Sequence, residues 1–122
     1  MQNRQPLREY RKLEKGEQTI LAADPAESAD FCAAVIVSKK YLDFPLVFAD
    51  IIESSQFGYE LNNIAKYVYN QTGMNPRIAV ERNVGAATIF VLKTLNYPDL
   101  FRMVDFTAAA TYEHGNVGWM TT

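Results

Sequence analysis

The stretch TILAADPAESAD, Thr19–Asp30, decides how this chain is read. Its first six residues form an apolar run of strand length that closes on Asp24. Pro25 stops the run, because proline has no N–H to give to a sheet ladder. Glu27 and Asp30 then place two more acids beside the strand end. A buried strand that finishes in a carboxylate raises two questions: which strands lie beside it, and what balances the charge.

Working outward, FCAAVIVS (Phe31–Ser38) is rich in β-branched residues and is predicted as a second strand. KKYLDF follows as a polar turn around Lys39, Lys40 and Asp43, and PLVFADIIES (Pro45–Ser54) as a third strand. The short gap between these two strands requires antiparallel pairing. The period then changes. Phe57, Leu61, Ile64, Ala65 and Val68 share one face of an amphipathic helix, with Ser55 as N-cap and Gly73 as stop. RIAVE (Arg77–Glu81) is a fourth strand, again closing in a carboxylate. Asn83 caps a second helix whose buried face holds Val84, Ala87, Thr88, Val91, Leu92 and Leu95, and Asn96–Pro98 ends it. LFRMV (Leu100–Val104) is a short fifth strand, and Gly115-Asn116 marks a turn. The order βββαβαβ predicts an α/β fold: a mixed sheet of three antiparallel strands, then βαβ crossovers, with helices packed on it. The first strand is expected inside the sheet with the fourth beside it.

A length of 122 residues suits one domain, and 48% hydrophobic with 21% charged residues is a globular balance. The net charge of -2 gives no global attraction to nucleic acid. Arg4, Arg8, Arg11, Lys12 and Lys15 crowd into the N-terminal segment, which is read as a polar tail or linker over residues 1–17 that can touch phosphates. No stretch approaches the roughly 20 apolar residues of a membrane span, and the N-terminus lacks the apolar region of a signal peptide. Cys32 is the sole cysteine, so it forms no intrachain disulfide; it is read as a small buried hydrophobe. His114, the sole histidine, is read as a turn residue. Without a Gly-x-x-x-x-Gly-Lys-Ser/Thr loop the chain should not hydrolyse ATP.

If the first and fourth strands are parallel neighbours, Asp24 and Glu81 converge at the sheet edge that favours ligands. Two close carboxylates repel, so such a site takes up a proton or a cation. Oxygen donors without cysteine or paired histidines suit Mg²⁺ or Mn²⁺. Against this stands turn capping: aspartate before proline is common in turns, and Arg82 can neutralise an acid.

The segments DPAESADFCAAVIV, IAVERNVGAAT, LKTLNYPDLFR and GWMTT, in this order and spacing, resemble the nuclease domain of the large terminase subunit of tailed bacteriophages. The resemblance spans residues 8–122 and implies a ribonuclease H-like nuclease domain over residues 18–122. It implies cutting of concatemeric double-stranded viral DNA with two Mg²⁺ or Mn²⁺ ions, in the cytoplasm of an infected bacterial host. The implied partners of the full-length protein are an ATPase domain, the portal and the small terminase subunit. By position, Asp24 resembles the first metal ligand, bridging both ions, and Glu81 the second. Asp30 matches an accessory acid, while Glu27 is assigned to the loop. Arg82 reads as a phosphate contact or an ion-pair partner, and Asn83 as a helix cap. Ser28 stands where the family has glycine and Val84 where it has a polar residue, whereas Gly85 is retained and lets the helix start lie close to the sheet. The family's further acid, an Asp-Asp pair beyond the Gly-Trp-x-Thr-Thr element, has no counterpart; Asp99, Asp105 and Glu113 are not expected to replace it. The expectation is therefore a nuclease domain lacking its last catalytic element, which binds metal weakly and cuts poorly. Two alternatives are another ribonuclease H-like nuclease, such as a junction resolvase, and a non-catalytic remnant that binds DNA or portal. Tyr59, Tyr67 and Tyr69 on the first helix are read as either packing or base-stacking residues.

Overall fold

The computed structural model describes residues 5–26, 31–81, 84–103 and 116–117. Among the described residues, seven strands and two helices follow in the order β1 (Leu7–Glu9), β2 (Thr19–Asp24), β3 (Cys32–Ser38), β4 (Leu46–Asp50), α1 (Ser54–Thr72), β5 (Arg77–Val80), α2 (Ala86–Thr94), β6 (Arg102–Met103) and β7 (Asn116–Val117). Five strands form one mixed sheet in the order β1-β4-β3-β2-β5. β2, β3 and β4 pair antiparallel, and β5 joins β2 in parallel after the α1 crossover. This is the predicted α/β arrangement, with β2 inside the sheet and β5 beside it.

Alternation along the strands decides which face is covered. Leu21 and Ala23, Ala34 and Ile36, Leu46 and Phe48, and Ile78 and Val80 are all buried in the core cluster. Phe57, Leu61, Ile64, Ala65 and Val68 of α1 and Ile89 and Leu92 of α2 fill the same cluster. Their helical spacing is the one the sequence predicts for α1. Phe48 and Phe57 stack across the sheet–helix boundary with ring centroids 5.8 Å apart. The other face carries Ile20, Ala22, Val35, Val37, Val47 and Ala79, which are only half-buried. Gly58 sets the approach of the helices: a Cβ there would lie 2.7 Å from Val91 Cβ and 3.0 Å from the Thr88 carbonyl oxygen. Gly73 ends α1 at φ 78°, the left-handed conformation that a glycine C-cap supplies.

Four expectations are corrected. Residues 7–9, read as part of a tail, form β1, which pairs antiparallel with β4. The strand is only three residues long and flanked by charges, so it leaves no periodic signal; only Leu7 packs on the core from it. Leu13, in the same segment, is buried. The first helix starts at Ser54 with Glu53 at the N-cap and no side-chain cap bond, rather than with Ser55 as cap. Ser54 Oγ instead donates to the Ala26 carbonyl at 3.0 Å, tying the helix start to the loop after β2. On α2 the buried side is Thr88, Ile89, Val91 and Leu92; Ala87 is exposed and Leu95 lies beyond the helix end. The fifth strand is split. Leu100 adds one parallel bridge to Ile78, and Arg102–Met103 pairs with Asn116–Val117 in a second, two-stranded sheet. Val104 lies outside the described residues.

No helix among the described residues is long and apolar enough to cross a membrane.

Candidate metal centre

The site is built by strand register. β2 and β5 run parallel with Ala23 opposite Val80, and the Glu81 N–H donates to the Ala23 carbonyl at 2.9 Å. Asp24 and Glu81 are the next residues on each strand, so they reach the same level at the C-terminal ends of adjacent parallel strands. Ala23 and Val80 face the helices, so alternation puts both acids on the opposite face. Across the sheet Asp24 pairs with Ala33, and Ala33 with Ala49. On the β3 side of Asp24 that rung therefore holds two small side chains, Ala33 beside it and Ala49 one strand further. Glu81 is 7% exposed while Asp24 is exposed, so the pair combines a sheltered and an open carboxylate.

Gly85 holds the end of β5 against α2. A Cβ at Gly85 would meet the Glu81 carbonyl oxygen at 2.3 Å and Val80 Cγ1 at 2.9 Å. Its φ of -100° is ordinary, so what glycine supplies here is closeness rather than an unusual conformation. The Ile89 N–H donates to the Gly85 carbonyl at 2.9 Å and starts the helical ladder from that contact. The close approach of helix and sheet expected at this glycine is thus present.

Asp30 and Arg82, and with them Glu27 and Asn83, lie outside the described residues, as do Asp105, Glu113 and His114. Among the described residues no group of three or more His, Cys, Asp or Glu side chains comes together as a metal cluster. Asp99 is not brought to Asp24. Its carbonyl bonds the Ile78 N–H near the start of β5, and its carboxylate pairs with Arg77 at 3.0 Å. Cys32 is fully buried, with Sγ 3.4 Å from both the Ala26 N–H and the Ile52 carbonyl. Burial pushes its thiol pKa up, which suits the reading of a small hydrophobe rather than a nucleophile. Tyr67 packs partly into the core and its hydroxyl donates to Glu9 at 2.6 Å, whereas Tyr59 and Tyr69 are exposed.

A second polar constellation, at the other end of the sheet, has no counterpart among the sequence expectations. Arg11 donates through Nη2 to Glu17 at 2.6 Å and grips Asp43 through Nε at 2.8 Å and Nη2 at 2.9 Å. Glu17 is 3% exposed and also accepts from Ser38 Oγ at 2.5 Å and from the Glu14 N–H at 2.9 Å. The Arg11 guanidinium, helped by those two donors, outweighs burial and holds the Glu17 pKa down at about 2. Asp43 and Glu17 in turn raise the Arg11 pKa. Asp43 lies 32 residues from Arg11 in sequence, so linear spacing carries no signal of the pairing.

No known sequence family and no curated protein matches the chain. Its fold is similar to that of a solved structure, the large terminase nuclease from thermophilic phage G20c, with a TM-score of 0.63 at 12% sequence identity. The similarity covers 77% of this chain and 48% of that one, so the chain spans about half of the nuclease it resembles. At this identity the likeness establishes the fold: a mixed five-stranded sheet with two helices, consistent with a ribonuclease H-like nuclease fold.

Proposed function

We propose that this chain is a nuclease domain, or part of one, of the terminase large-subunit type, acting on double-stranded DNA with Mg²⁺ or Mn²⁺ held by Asp24 and Glu81. The observation that carries this reading is the parallel register that delivers both carboxylates to one level at adjacent strand ends. The fold likeness to a phage terminase nuclease supports it. The donor chemistry fits a hard divalent cation, since both side chains offer only carboxylate oxygens. When bound, such ions supply charge neutralisation and Lewis-acid polarisation at a phosphodiester. The chain's own share is positional. Asp24, open to solvent, faces an incoming phosphate. Glu81 is fixed by its main-chain bond to Ala23 and by α2 packed against it through Gly85. Asp30 is the candidate third acid and Arg82 the candidate phosphate contact of this proposal, and packaging of viral DNA is the process the resemblance implies.

A second reading is a DNA-binding module that does not cut. Supercoiled plasmid incubated with the chain and Mn²⁺ separates the readings. Nicking that disappears in both Asp24→Asn and Glu81→Gln supports the nuclease reading. Nicking that survives in either variant overturns the assignment of that residue. Plasmid retained on the chain without nicking selects the second reading.

A further inference from the structure

Asp24 is the last residue of β2, and the chain leaves the sheet directly after it. Pro25 has no N–H to give, so the next amide able to anchor the chain is that of Ala26. Both main-chain groups of Ala26 are held by side chains. Its N–H donates to Cys32 Sγ at 3.4 Å, and its carbonyl accepts from Ser54 Oγ at 3.0 Å. The Cys32 thiol in turn donates to the Ile52 carbonyl at 3.4 Å. Burial raises the thiol pKa, with a smaller push from the Asp24 carboxylate, so the proton that this bond needs stays in place. Ala26 and Ile52 both pack on the core cluster. The exit of β2 is therefore tied to the segment that leads into α1.

The same serine reaches towards the other acid. Its carbonyl accepts from Thr88 Oγ1 at 2.6 Å. Thr88 is fully buried in the first turn of α2, the helix that Gly85 brings against the Glu81 carbonyl. A path of direct contacts thus runs from Ala26, two residues past Asp24, through Ser54 and Thr88 to the helix packed on Glu81. The Ser54 hydroxyl does nothing for α1 itself, whose N-cap is Glu53. Alanine would suit the helix better at this position, so what the hydroxyl adds is the bond to Ala26.

We infer that Ser54 is a positioning residue of the metal centre: with Cys32 and Thr88 it fixes the exit of β2 relative to the start of α2, and so the spacing of the Asp24 and Glu81 carboxylates. This role rests on the proposed function, in which those two acids hold a divalent cation. Strand register sets the level of the two acids, and the bonds beyond the strand ends set the turn that each chain takes after them. An ion gains most from ligands whose separation is already set, because it then has less to order on binding.

Mn²⁺ affinity, read from the electron paramagnetic resonance signal of the free ion, tests this together with the melting temperature. The parent chain should bind and Asp24→Asn should not. Ser54→Ala places a good helix former at the start of α1 and should melt within about 5 °C of the parent. Its dissociation constant for Mn²⁺ should nevertheless rise about tenfold, the effect of losing an outer support of a metal ligand. Ser54→Thr keeps the hydroxyl and should restore the parent affinity, which a general loosening of the fold does not predict. Thr88→Val, close to threonine in shape but without the donor, should weaken Mn²⁺ binding in the same direction. Affinity unchanged in both Ser54→Ala and Thr88→Val, with binding still absent in Asp24→Asn, overturns the positioning role and leaves the metal centre standing. A loss in Ser54→Ala that Ser54→Thr does not restore overturns it as well. A parent chain that binds no Mn²⁺ removes the metal centre itself, and the role of Ser54 with it.

Discussion

The two ends of the central sheet treat charge in opposite ways. At the end where β2 and β5 begin, acids and bases are matched: Arg11 with Glu17 and Asp43, Lys12 with Glu9, Lys40 with Glu14, and Arg77 with Asp99. At the end where those strands finish, Asp24 has no ion pair among the described residues, and Glu81 lies buried at the same level. Matched charge can hold the fold together on its own. Asp24, an exposed acid at a strand end, gains when a cation arrives and loses little when none does, so it serves binding better than stability. The difference separates residues that keep the chain folded from residues available for chemistry.

The largest effect expected from breaking this division is at the matched end. Arg11→Ala leaves the buried Glu17 carboxylate without its guanidinium and should lower stability by about 4 kcal/mol in urea denaturation, the cost of removing one partner of a buried ion pair. Gly85→Ala tests the other end by shape. Its methyl group would fall 2.3 Å from the Glu81 carbonyl oxygen, so the helix or the strand end must move, at a cost of about 3 kcal/mol and with weaker Mn²⁺ binding. Acid should act through the matched end. The folded-state pKa of Glu17 is depressed to about 2, so its stabilisation is present above the usual glutamate pKa and is lost as pH falls from there towards 2. That contribution is about 3 kcal/mol. Stability measured between pH 6 and 2 should therefore drop steeply in the parent chain and less steeply in Glu17→Gln. The smallest effect is expected at Asp24. Because it is exposed and outside the ion-pair network, Asp24→Asn should change stability by less than about 0.5 kcal/mol while removing Mn²⁺ binding. A large loss of stability in that variant would make Asp24 a structural residue.

The sequence is most legible where burial is periodic. The runs TILAAD and CAAVIVS alternate between a covered and an open face, and Phe57, Leu61, Ile64 and Val68 fall on one side of α1, so strands, helix and their order can be read directly. The parallel neighbours β2 and β5 follow from the helix between them, and with them the common level of positions 24 and 81 at the strand ends. Legibility ends where a contact is long-range or an element is short. β1 has three residues and draws its order from β4 across the sheet, not from its own pattern. Glu17 and Asp43 look like surface acids until the fold brings both to Arg11. Ser55 has the chemistry of a cap, but Ser54 is already helical and its hydroxyl is directed to Ala26.

Paramagnetic broadening by Mn²⁺ in an amide-resolved NMR spectrum tests the division between the two ends most directly. Added in substoichiometric amounts, Mn²⁺ should erase the signals of Ala23, Asp24, Ala33, Val80 and Glu81 first, and spare those of Arg11, Glu17 and Asp43. The same titration of Asp24→Asn should leave the first group sharp. Broadening that begins at Glu9, Glu14 or Asp43, or that is unchanged by Asp24→Asn, would contradict a cation site at the ends of β2 and β5.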